Sequence, residues 1–156
     1  MRRFEVGASE GEIRSLAMKL FFDTNVLLDV LLNRAQFVVS SKAALALCAK
    51  GQHQGCFSAL SACDMVYILG RCGLSGDGAR KAVCTLSEVV EMLPIKPELV
   101  RAALVANARD FEDTVQQLSA KEYGADIILT RNKSDFFDSE VAVMTPTEFL
   151  DSNNTL

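Results

Sequence analysis

Four aspartates, Asp23, Asp64, Asp113 and Asp135, stand where a chain of alternating strands and helices gathers carboxylates. Asp23 ends the apolar run Met18-Lys19-Leu20-Phe21-Phe22. Asp64 is expected in the first turn of the helix after a second strand, and Asp113 in the first turn of a later helix. Asp135 closes the loop Thr130-Arg131-Asn132-Lys133-Ser134-Asp135 behind a late strand. Open parallel sheets bind ligands outside the carboxyl ends of their strands, so four elements would each deliver one carboxylate to the same edge. Two like charges about 4 Å apart repel by roughly 4 kcal/mol at an effective dielectric near 20. Protonation relieves that repulsion, and so does a hard divalent cation such as Mg²⁺ or Mn²⁺; Mg²⁺ takes only one or two protein carboxylates and leaves room for water and phosphate. A metal held there lowers the pKa of water and offsets charge on a phosphodiester under in-line attack.

Each aspartate also has a local reading. Asp23-Thr24-Asn25 can be turn chemistry with an N-cap for the next helix, and Ser61-Ala62-Cys63-Asp64 has capping-box spacing. Asp110 can cap the helix that carries Asp113, and Asp135 a short turn before Phe136-Phe137. Capping explains the residues singly but not their joint placement at strand ends. Asp29 and Glu112 lie close to the acids in sequence, yet helical geometry is expected to point them elsewhere. Arg131 and Lys133 flank the site, with Arg34, Arg71, Arg80 and Lys81 on loops or helix ends; each is either a phosphate contact or a solvated surface charge.

The elements that must position these groups alternate between short apolar runs and helical patterns, which predicts a mainly parallel sheet with helices on both faces. Strands are expected at 19–22, 56–59, 89–94, 127–130 and 141–143. Helices are expected at about 26–32, 36–50 (stopped at Gly51), Ser61 to Gly73 with Ser61 as N-cap, 77–86, Pro97 to 106, and from about 110 with Phe111, Val115 and Leu118 facing inward. Thr147-Glu148-Phe149-Leu150 adds a final helical turn.

The chain has 156 residues, 49% of them hydrophobic, which is one domain's worth of core-forming material. No apolar run reaches the roughly 20 residues that span a bilayer, so no membrane partner is expected. Residues 1–17 mix both charge signs without an apolar stretch; we expect a loosely held extension there, of the kind an upstream start assignment produces, and a single domain over 18–156. Five cysteines without a C-x-x-C pair or an export signal predict free thiols in a reducing cytoplasm, packed as small core hydrophobes. With His53 as the one histidine, zinc sites and Ser-His-Asp or Cys-His chemistry are poorly supported. A net charge of −4 offers no global attraction to nucleic acid; clustered carboxylates awaiting a cation would contribute to it.

Three blocks in order, Phe22-Asp23-Thr24-Asn25-Val26-Leu27-Leu28-Asp29, Asp110-Phe111-Glu112-Asp113 and Ile128-Leu129-Thr130-Arg131-Asn132-Lys133-Ser134-Asp135-Phe136, resemble the signature blocks of the PIN-domain family over about residues 18–150. The resemblance implies a three-layer α/β/α sandwich with a central, mainly parallel sheet. It also implies a Mg²⁺- or Mn²⁺-dependent endoribonuclease acting on RNA, and many bacterial members are homodimeric toxins of toxin–antitoxin pairs, inhibited by a partner protein. Carried over by position, the family's metal-binding acids fall on Asp23, Asp64, Asp113 and Asp135 (or Asn132 in some registers), while Asn25 and Thr130 match polar pocket positions. With Arg131 and Asn132 these are the expected substrate contacts. Asp64 is one methylene shorter than the family's usual Glu, and Asn132 stands where some members carry Asp. A catalytically weak or inactive PIN-like module that binds RNA or protein is therefore the competing reading. A phosphatase with an aspartyl nucleophile would need a second acid two residues after Asp23, where this chain has Asn25.

Overall fold

The computed structural model of the chain describes residues 16–107 and 109–154. The expected extension over residues 1–17 lies outside the described residues, apart from exposed Leu16 and Ala17.

The apolar run before Asp23 forms β1 (Lys19–Phe22), the centre of a five-stranded, wholly parallel sheet. β2 (Gln54–Ser58) and β4 (Ile127–Leu129) flank it, with β3 (Glu91–Leu93) and β5 (Ala142–Met144) at the edges, giving the order β3-β2-β1-β4-β5. Successive strand residues face opposite sides, and the core divides accordingly. Leu20, Phe22, Phe57, Ile127 and Leu129 pack on one face, under α1 (Thr24–Leu31), α2 (Val38–Ala49), α3 (Ala59–Arg71), α4 (Gly76–Leu86) and α7 (Pro146–Asn153). Phe21, Cys56, Leu93 and Ile128 pack on the other with Ala120 of α6 (Phe111–Tyr123) and Phe136 of a 3₁₀ turn (Lys133–Phe136). α5 (Pro97–Val105) lies against α6. The result is a three-layer α/β/α sandwich. Among the described residues no helix is long and apolar enough to cross a membrane.

Backbone chemistry sets the helix ends. The hydroxyl of Ser58 accepts from Ser61 N at 3.2 Å and caps α3, so the cap is Ser58 and not the expected Ser61. Asp64 consequently lies in the second turn and makes no capping box. Asp110 caps α6 by accepting from Asp113 N at 3.0 Å, and Gly124 ends that helix at φ 74°, a conformation open to glycine without strain. The inward face of α6 also departs from expectation. Phe111 is exposed, whereas Val115, Gln116, Ser119 and Ala120 are buried. Of the five cysteines, all free, Cys48 and Cys56 are buried as expected, but Cys63, Cys72 and Cys84 are exposed because they sit on the outer faces of α3 and α4 or at their ends.

Candidate active site: an acidic cluster at the carboxyl edge of the sheet

Asp23 leaves β1 at its carboxyl end and occupies the N-cap position of α1, but its side chain makes no cap hydrogen bond. Its backbone N–H donates instead to Leu129 O at 3.0 Å, and its Oδ2 accepts from the Thr130 hydroxyl at 2.9 Å. Parallel pairing of β1 with β4 brings the two strand ends side by side, and this explains the contact between residues 107 positions apart. Asp23 is buried, and burial pushes its carboxyl above the usual range. Hydrogen bonds from Thr130 and the Thr24 backbone oppose the shift, Asp135 adds to it, and Arg131 lowers it.

Asp113 lies in the first turn of α6, and burial with the charges of Asp110, Asp23 and Asp135 pushes it up to about 7. Asp135, on the 3₁₀ turn, is exposed and its Oδ2 accepts from Asn132 Nδ2 at 2.6 Å. Thus Asp23, Asp113 and Asp135, delivered by β1, α6 and the turn after β4, feel one another's charge. An electron-rich cluster with two members raised is the signature of carboxylates lacking a counter-charge.

Asp64 reaches this cluster at one remove. Its partner is Glu112, and burial, the contact with Asp64 and the charges of Asp64, Asp113 and Asp110 push Glu112 up to about 7. Asp64 Oδ2 is also buried without a hydrogen-bond donor. Two carboxyl groups approach in this way only when a proton or a cation joins them. Glu112, expected to point away, instead faces Asp64, and Asp110 adds its charge to Asp113 while capping α6. The sequence signal for both was present in the density of acids at Asp110-Phe111-Glu112-Asp113, because a helix N-terminus favours negative charge.

The other expected contacts differ in exposure. Asn25 is exposed on the first turn of α1. Thr130 is fully buried, and its Oγ1 also accepts from Asn132 N at 3.1 Å, so one hydroxyl ties the loop to Asp23. Asn132 Oδ1 accepts from Ser134 at 2.7 Å. Arg131 turns inward. Its guanidinium stacks 4.2 Å from the Phe37 ring centre, and Nε lies 3.1 Å from Asp29 Oδ2, an ion-pair distance although the N–H is poorly aimed for a hydrogen bond. Lys133 pairs with Glu148 at 2.7 Å, and Arg80 pairs with Asp77.

Beside the acids opens a groove of about 560 Å³ whose walls include Arg109, Asp110, Asp113, Gln117, Asp135 and Phe137. Among the described residues no three histidine, cysteine or acidic side chains converge on one point closely enough to hold an ion. The donor chemistry nonetheless suits a hard divalent cation: all-oxygen groups, two of them raised, and a buried Asp64 oxygen without a donor. Mg²⁺ in particular needs only one or two carboxylates beside water.

A family model described as PIN domain matches residues 19–134. Ribonuclease VapC1 of Aquifex aeolicus (strain VF5) is 30% identical over 150 residues, covering 88% of this chain and 97% of the relative. Solved structures with the same fold include VapBC2 from Rickettsia felis bound to a DNA fragment from their promoter, with TM-score 0.61 and 13% identity over 82% of this chain and 98% of that one. A toxin–antitoxin complex from Klebsiella pneumoniae matches with TM-score 0.59 and 19% identity over 81% of this chain and 97% of that one.

Proposed function

Since this chain belongs to the PIN-domain family, we propose that it is an endoribonuclease that hydrolyses RNA phosphodiesters with Mg²⁺ or Mn²⁺, and that it serves as the toxin of a toxin–antitoxin pair. The observation that carries the reading is that Asp23, Asp113 and Asp135 lie near enough to feel one another's charge, with Asp23 and Asp113 held above the usual carboxylate range. In this reading one or two of these three, completed by water, would hold the cation, with Asp64 and its partner Glu112 at the flank. When bound, the divalent ion supplies the positive charge that makes a phosphodiester electrophilic and water a competent nucleophile at neutral pH.

The chain's own residues supply position. The Thr130 hydroxyl fixes Asp23 Oδ2. Asn132 fixes Asp135 in the same way. In the metal-free chain the Asp113 carboxyl is pushed up to about 7, and a bound cation would take the place of its proton. Along the groove, Arg109 offers a phosphate contact and Phe137, 74% exposed, an aromatic face for a base. Asn25 and Asn132 complete the proposed substrate contacts, whereas Arg131, spent on Phe37 and Asp29, and buried Thr130 serve the site from beneath. An antitoxin-type inhibitor is a proposed protein partner, by likeness to the toxin–antitoxin complex from Klebsiella pneumoniae, and a second copy of the chain is proposed from the family expectation alone. The reducing cytoplasm is the proposed location, since all five cysteines are free.

The test is cleavage of single-stranded RNA by pure protein. Activity that requires Mg²⁺ or Mn²⁺, stops with EDTA and is lost in Asp23→Asn supports the reading. Cleavage that survives Asp23→Asn overturns it.

A further inference from the structure

Beneath the acids lies a second polar layer that carries no charge. Thr24, Ser58, Ser61 and Gln116 are all buried, with 6% exposure at most. Gln116 Nε2 donates to Thr24 Oγ1 at 3.0 Å and to Ser61 Oγ at 3.1 Å, and its Oε1 accepts from the hydroxyls of Ser58 and Ser61, each at 3.3 Å. Thr24 Oγ1 donates to Ser61 Oγ at 2.8 Å. Every donor hydrogen of the four side chains thus has an acceptor, and one amide is the hub.

Placement gives the network its meaning. Thr24 directly follows Asp23. Ser61 sits one turn before Asp64 on α3, and Gln116 one turn after Asp113 on α6, so each lies on the same helical face as its acid. The hub therefore ties together the three segments that carry Asp23, Asp64 and Asp113. An apolar contact at this depth would permit sliding by an ångström at little cost, whereas a closed set of directional bonds does not.

We propose that Gln116 is a positioning residue that, through Thr24 and Ser61, sets the spacing of Asp23, Asp64 and Asp113 for a divalent cation. The proposal rests on the metal-dependent reading of the acidic cluster. Gln116 touches no substrate and acts only through the segments it joins. Outer partners of metal sites typically govern affinity and turnover by about 10–100-fold.

The experiment titrates Mn²⁺ alone into the full chain by calorimetry, without RNA, and measures RNA cleavage separately, for wild type, Gln116→Leu, Thr24→Val and the double variant. Gln116→Leu is expected to weaken Mn²⁺ binding about tenfold and to lower kcat by a similar factor, with KM nearly unchanged. The double variant should lose little more than Gln116→Leu alone, since both break one network. A purely structural amide would lower the melting temperature and leave Mn²⁺ affinity and kcat of the folded fraction as in wild type; that result overturns the proposal. If Gln116→Leu does not fold, Thr24→Val and Ser61→Ala take its place, each supporting the proposal by weaker Mn²⁺ binding and overturning it by wild-type affinity. A wild type that takes up no Mn²⁺ overturns both this proposal and the metal-dependent reading. A wild type that binds Mn²⁺ but cleaves no RNA overturns the nuclease alone, and the titration still decides the role of Gln116.

Discussion

Asp23 and Asp29 stand six residues apart, one at the N-cap position of α1 and the other inside it, and both are buried, yet the protein treats them oppositely. Asp29, at 0% exposure, is ringed by its own cations: Arg34 Nη1 at 3.3 Å and Arg131 Nε at 3.1 Å, with the Ser41 hydroxyl at 3.4 Å. Asp23, at 7%, has one hydroxyl partner, and the charges nearest to it include another carboxylate. A buried charge is stable when neutralised. Asp29 is neutralised from within and holds α1, the turn after it and the loop after β4 together. Asp23 is left short of positive charge, and that shortage is what a bound cation would fill. Arg131 spans both regions, since it pairs with Asp29 and also lowers Asp23.

Exchanging each carboxylate for an amide breaks the comparison at its ends. Asp23→Asn should reduce RNA cleavage by about a hundredfold or more while leaving the melting temperature of the metal-free protein equal or higher, because it removes a repelled charge. Asp29→Asn should do the reverse. Removing one side of a buried ion pair costs about 3 kcal/mol, read as a lower urea midpoint at unchanged slope, with cleavage per folded molecule far less affected than in Asp23→Asn. Equal losses of stability in the two variants would show that the regions do not differ in kind.

Added cation gives a smaller effect. At about one hundred times its Kd, Mn²⁺ should stabilise wild type by about 2.7 kcal/mol, measured as a rise in melting temperature, and Asp29→Asn by a similar increment. Asp23→Asn and Asp113→Asn should gain little. A rise of the same size in Asp23→Asn would locate the cation elsewhere.

The sequence makes the frame of this contrast legible and hides its details. β1 from Leu20 to Phe22 and the whole of β4 are apolar runs of the kind a doubly covered parallel strand requires, so the sequence places Asp23 and Thr130 at strand ends. The face of α6 was harder. Gln116 and Ser119 point inward against their polarity because hydrogen-bond partners from other segments, or Val115 O in the same helix, satisfy them. Apolar periodicity cannot report such positions. The pairing of Asp64 with Glu112 depends on how α3 and α6 are rotated about their axes, and the three-residue shift of the α3 cap from Ser61 to Ser58 already moves Asp64 from the first turn to the second. The two arginines around Asp29 come from residues 34 and 131, so local helical geometry alone could not foresee a buried ion cluster there.

The pH dependence of stability is the smallest effect and the one that separates the two regions without a nuclease assay. In chelator, Asp113 is held up to about 7, against an ordinary carboxyl value near 4 in the unfolded chain. Between those limits the folded state binds more protons than the unfolded state, so stability falls as pH rises from about 4 to about 7. Glu112, also pushed up to about 7, and Asp23, raised by burial, act with the same sign. His53 acts against them. Buried, with Nδ1 accepting from Met18 N at 3.1 Å, it is held below its usual value, so its contribution is lost as pH falls below about 6.5. The absolute curve mixes both signs, but the difference between wild type and Asp113→Asn isolates the acids. Wild type should lose stability relative to Asp113→Asn as pH climbs from 5 to 8, by chemical denaturation in EDTA. Saturating Mn²⁺ should invert that trend, because a cation binds only the deprotonated cluster. Parallel curves in EDTA would mean that the carboxylates around Asp23 are as well neutralised as Asp29, and the contrast between the two regions would be lost.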